Sequence, residues 1–130
     1  MTTTSALANA RSRYAGESVA TASGPKLLVM LYDRLVRDLV QAEEALDRCS
    51  VSQANLELQH AQAIVLELRT SLDTAAWSGG PGLDQLYTWL HTELVLANVQ
   101  KDRRRVAGCR SVVEPLRDAW RQASVSLGAA

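Results

Sequence analysis

The stretch PKLLVMLYDRLVRDLVQAEEAL, residues 25–46, decides the fold class. Its apolar residues Leu28, Leu31, Tyr32, Leu35, Leu39, Ala42 and Leu46 recur at three- and four-residue steps, the period that lines side chains along one stripe of an α-helix. Asp33, Arg34, Arg37 and Glu44 fall elsewhere, so the segment reads as an amphipathic helix of about six turns. Pro25 suits a first turn, where its missing N–H would be unbonded anyway, and Thr21 and Ser23 can cap the start.

Three further helical patterns follow. Ser52 is a candidate N-cap for a second helix running to about Ala76, with Ala61, Ile64, Val65, Leu68, Leu72 and Ala75 on its stripe and Leu58 and Leu66 widening it. SGGPG at 78–82 is the strongest turn signal in the chain. A third helix is predicted from about Leu83 to Gln100, its seam formed by Leu83, Leu86, Tyr87, Leu90, Leu94 and Ala97, while Trp89, Leu96 and Val99 project from other faces. Asp102 can cap a fourth, whose stripe reads Val106, Cys109, Val113, Leu116, Trp120, Ala123 and Leu127. Gly108 lowers helix propensity there, and Pro115 predicts a kink or break near residues 111–115 within what still reads as one helix. No window sustains the alternation of a half-buried strand. The predicted fold is therefore all-α, an antiparallel four-helix bundle over residues 21–127. It is preceded by a flexible N-terminal arm, residues 1–20, whose only larger apolar side chains are Leu7, Tyr14 and Val19.

Composition narrows the function classes. A chain of 130 residues that is 47% hydrophobic can build one core, and 14 Lys plus Arg against 14 Asp plus Glu leaves no net field for nucleic acid or an anionic membrane. No segment reaches the ~20 apolar residues of a membrane span, and residues 1–18 hold no apolar run of signal-peptide length, so a cytoplasmic protein without membrane insertion is expected. Cys49 and Cys109 lie far apart without a CxxC or nearby ligands, which predicts reduced, buried thiols in place of zinc or disulfide chemistry.

The candidate reactive sites are incomplete. Glu57 and His60 form one ExxH of the kind that di-iron bundles use in pairs, but His91 has Thr88 three residues before it, so the second half is missing. Neither histidine has a nearby Lys and Gly that a phosphotransfer bundle would need. KDRRR at 101–105, with Arg110, includes Asp102 and reads as a solvated turn. Phosphate loops and nucleophile elbows are missing as well, so no catalytic residue, metal or cofactor is expected. What remains is apolar surplus: Leu58, Leu66, Trp89, Leu96, Val99 and Val112 lie off the four stripes. They either broaden the core or form a groove for an amphipathic partner.

Read in order, Tyr14, VATAS at 19–23, KLLVMLYDRLVRDLVQAEEAL at 26–46, Asn55, AQAIVLELRTSLD at 61–73, the glycine turn at 79–82, LDQLYTWL at 83–90, LANVQKD at 96–102 and PLRDAW at 115–120 resemble the FliS family. The resemblance covers residues 14–121, with departures at Arg34, Trp89, Gly24 and Pro115. It implies a four-helix bundle that binds the disordered C-terminal segment of newly made flagellin, keeps it from polymerising early, and delivers it to the flagellar type III export apparatus and its gate. On that basis Leu58, Ile64, Val65, Leu66, Leu68, Leu90, Leu94 and Val99 are the expected groove lining. Asn55, Gln62 and Asn98 are polar contacts to the partner or ties between helices, Tyr32 and Tyr87 core or rim, and Tyr14 and Val19 the arm over the groove. A homodimeric four-helix scaffold is the competing reading.

Overall fold

The computed structural model describes residues 24–72 and 78–128, which form four helices and, among those residues, no strand: α1 Gly24–Asp47, α2 Val51–Ser71, α3 Gly80–Gln100 and α4 Arg103–Gly128. Tyr14 and Val19, with the rest of residues 1–20, lie outside the described residues. Each helix packs on the next and α4 returns to α1, closing a four-helix ring.

The polar ties set its direction. On α1 and α4, Asp33 meets Arg121 at 2.7 Å, Glu43 meets Arg110 at 2.5 Å and Asp47 meets Arg103 at 2.7 Å, so one helix ascends as the other descends. The α2–α3 pair repeats this with Asn55 to Asn98 at 2.9 Å and Arg69 to Asp84 at 3.1 Å. His60 on Asp38 joins α2 to α1, and Glu93 on Arg105 at 2.6 Å joins α3 to α4. Every neighbouring pair is thus antiparallel, as the short connections predict.

The helix ends show where sequence reading lost precision. After α1, Cys49 adopts φ 57°, the Cys49 N–H donates to the Leu46 carbonyl at 3.0 Å and the Ser50 N–H donates to the Ala45 carbonyl at 2.7 Å. These two bonds are a Schellman closure with cysteine in the left-handed position usually held by glycine. The tight turn brings α2 in at Val51 behind Ser50, one residue before the predicted cap Ser52. α2 stops at Ser71, short of Ala76, because Leu72 turns extended and donates its N–H to the Arg69 carbonyl at 3.2 Å. The nearby Thr70 and Ser71 are of residue types that compete locally with helical hydrogen bonding. α3 starts at Gly80 inside the predicted turn, with Pro81 in its first turn, where proline is tolerated. Asp102 serves two helices: its N–H closes α3 on the Ala97 carbonyl at 3.0 Å, and its carboxylate accepts the Arg104 N–H at 2.9 Å to cap α4. α4 runs unbroken through Pro115.

The core follows the predicted stripes, with Leu35, Leu39, Val65, Leu90, Leu94 and Val106 fully buried. Tyr32 and Tyr87 cross it, their hydroxyls 2.5 Å apart, and the Trp120 indole hydrogen-bonds Tyr32 with ring centroids 6.4 Å apart. Burial pushes the Tyr32 phenol up to about 12, so it stays protonated and available as a donor. Asp38 and Glu43 are also buried: Asp38 meets Arg34 of its own helix and His60 of α2, and Glu43 meets Arg110 and Arg103 of α4.

Candidate partner-binding face

Six of the eight residues expected to line a groove are core: Leu58, Ile64, Val65, Leu68, Leu90 and Leu94 are all buried. Their stripe faces the bundle axis and cannot also face solvent, which corrects the expectation that they form an open surface. Leu58 in particular is in phase with Ala54, Ala61 and Val65, so it extends the α2 seam and adds no surplus beside it. The remaining two, Leu66 at 44% and Val99 at 77% of full exposure, do face outward.

Most of the remaining apolar surplus is on α3. Trp89 is also 44% exposed, Leu96 is half-buried, and the half-buried Val95 falls between them and the α2 seam. Val112 is half-buried on α4. α3 is apolar on more than its inner side, so packing it against α2 and α4 leaves part of that surface in water. The polar residues among these side chains are neutral. Thr88 and Thr92 donate their hydroxyls back to the carbonyls of Asp84 and Thr88, at 2.9 and 3.0 Å, which lowers their demand for outside partners.

Charge is distributed in the opposite way. α3 holds two acidic residues and no Lys or Arg, and both acids are paired, Asp84 with Arg69 and Glu93 with Arg105. On α2, Glu57 and His60 lie toward α1, where His60 meets Asp38 and Glu57 accepts from Gln53 at 2.7 Å; Glu67 is in helical phase with His60. The ExxH residues therefore have separate partners and do not converge. Arginines crowd the α1–α4 side, where Arg110 clasps Glu43 and Glu114 and Arg117 and Arg121 reach Asp33. KDRRR lies at the end of the bundle: Arg103 is paired with Asp47 and Glu43, Arg105 with Glu93 and Asp102.

Asn55, Gln62 and Asn98 sit at the α2–α3 seam as inter-helix ties. The Asn98 amide donates to Asn55, Gln62 donates to the Leu94 carbonyl at 3.5 Å, and the Lys101 ammonium donates to both Asn98 oxygens. All three are partly exposed, so each retains a side that water reaches. Tyr32 and Tyr87 are core. Cys109 is buried, and desolvation, with the Glu93 carboxylate adding to it, pushes its thiol up to about 12. Cys49 is exposed, against expectation, because the turn that carries it lies at the bundle end. A cleft lined by Gln41, Glu44, Arg48, Ser50, Gln53 and Glu57 runs beside the same turn, polar and open. Among the described residues no three metal-ligating side chains converge, and no helix is long and apolar enough to cross a membrane.

Sequence reasoning missed the neutrality of this face, although residues 85–92 and 94–100 hold no Asp, Glu, Lys or Arg. Also missed were the buried carboxylates Asp38 and Glu43, whose partners are 22 and 67 residues away.

Fold and face define the class: an all-α antiparallel bundle whose distinctive surface is an uncharged, partly apolar α2–α3 side. The family model described as flagellar protein FliS matches residues 7–126. A curated relative, the flagellar secretion chaperone FliS of Bacillus subtilis (strain 168), is 30% identical over 118 residues, covering 91% of this chain and 88% of its own length. The chain belongs to the FliS family of flagellar proteins.

Proposed function

We propose that this protein is a cytoplasmic flagellar secretion chaperone, with no enzymatic activity, that binds the disordered C-terminal segment of flagellin. It holds that segment out of premature polymerisation and delivers it to the flagellar type III export apparatus, whose gate is its second partner. Family membership supports the flagellar assignment. The observation that carries binding is the exposed apolar set Leu66, Trp89 and Val99 on adjacent antiparallel helices. A disordered amphipathic segment buries its apolar side by laying it in such a groove, and the free energy of ordering it keeps the complex releasable. Asn55, Gln62 and Asn98 stand along the seam where their exposed sides can meet a bound backbone.

Calorimetric titration with a peptide of the host flagellin's C-terminal segment tests this reading. Saturable binding is expected, with a negative heat-capacity change from apolar burial. Leu66→Glu and Val99→Glu replace exposed side chains and leave the core intact; each should weaken binding at least about tenfold by placing an unpaired charge in a desolvated contact. An absence of heat at all concentrations, with helicity retained, would remove flagellin's C-terminal segment as the ligand.

A further inference from the structure

We infer that the α2–α3 face selects its cargo by rejecting charge: it accepts a neutral, amphipathic helical stretch of about 14 residues, flanked by any charges the cargo carries. The inference rests on the flagellin-binding reading and adds the chemistry and length of the bound stretch.

Charged side chains held by hydrogen bonds mark the limits of the face. Arg69 on Asp84 closes one end, and Lys101 on Asn98 closes the other beside Asn55. Glu93 on Arg105 runs along the α4 edge. At the α-helical rise, Asn55 to Arg69 spans about 21 Å, which is the length of a partner helix of about 14 residues. Within those limits the exposed or half-exposed side chains are aliphatic, aromatic, amide or hydroxyl, with His91 in the seam. Between those ends a charged cargo residue finds no opposite charge: the carboxylates are held by Arg69 and Arg105, and the Lys101 ammonium, bound to oxygens of neutral Asn98, lies at the end. Such a residue would be desolvated without compensation, which costs far more than a mismatched apolar contact. Elsewhere the pattern reverses: the outer side of α1 and the turn after it carry Arg34, Arg37, Glu44 and Arg48. Charge complementarity therefore assigns the neutral face to a neutral partner, since an acidic or basic segment would be drawn to the other side of the bundle.

Two arms test the inference against the same flagellin peptide. In the first, affinity is measured from about 0.05 M to about 0.5 M salt, a range over which exposed charge pairs are progressively screened. The dissociation constant is expected to change less than about twofold; weakening of about tenfold or more would mean charge-paired binding and overturn the inference while leaving flagellin binding intact. In the second, Thr92→Lys and Thr92→Glu are compared. A neutral partner predicts that both signs weaken binding at least about tenfold, whereas a gain with either sign would reveal a charged cargo face and overturn it. Arg37→Glu on α1 should leave affinity unchanged. Sedimentation of the free protein covers a different occupant: a dimer dispersed by Thr92→Glu would assign the face to a second copy of the chain and defeat the proposal. No binding at any salt concentration would take the inference down together with the reading it rests on.

Discussion

Cys49→Gly should stabilise the bundle, and its size follows from one dihedral angle. Cys49 sits at φ 57° in the Schellman turn after α1, where a residue with a Cβ costs about 1–2 kcal/mol relative to the right-handed region. Its side chain is exposed and free of disulfide pairing, so removing it forfeits little. Glycine in turn gives the unfolded chain more freedom, which offsets about 0.5–1 kcal/mol. The net expectation is a gain of about 0.5–1 kcal/mol, read as a higher urea midpoint at unchanged slope. Cys49→Ala is the control: it keeps the Cβ and the strain, so its midpoint should stay near that of the parent. If Cys49→Gly were no more stable than Cys49→Ala, the left-handed turn would not be the strained feature described here.

Other consequences follow from the buried hydroxyls and the buried thiol. Tyr32→Phe removes the hydrogen bonds to Tyr87 and Trp120 and should cost about 1–3 kcal/mol. Tyr87→Phe removes only the shared bond among these, so a double-mutant cycle in urea should return a coupling of about 1 kcal/mol; strictly additive losses would place the hydroxyls out of contact. Alkaline pH should also destabilise the fold. Cys109 and Tyr32 have folded values raised to about 12 from 9.0 and 10.0, so the native state keeps protons that the unfolded chain releases. Their contribution is complete below pH 9 and falls as pH rises toward 12, and Cys109→Ala should flatten that decline in denaturation midpoints.

The fold was legible because period and punctuation agreed. The stripes of α1 and α4, the glycine turn and the capping Asp102 each pointed to the same four antiparallel helices. Helix ends were less legible: Ser50 over Ser52 depends on a Schellman turn formed by Cys49, a residue that sequence alone gives no reason to place at positive φ. The candidate face was half legible. Leu66, Trp89 and Val99 stood out as surplus and are exposed, whereas Leu90 and Leu94 were assigned to a groove while their own spacing already placed them in the core. A single helix wheel counts apolar residues but does not show which neighbour covers them. The ambiguity at Asn55 and Asn98 resolved into an inter-helix bond because the antiparallel register brings residues 43 apart in sequence into contact.

The most direct test of the account is a nuclear magnetic resonance footprint of the flagellin peptide on this protein. Binding should perturb the methyl groups of Leu66, Val95 and Val99 and the Trp89 indole, and leave Met30 on the outer side of α1 unchanged. Perturbations confined to α1 and α4, with the α2–α3 methyls unmoved, would contradict the assignment of this face to cargo.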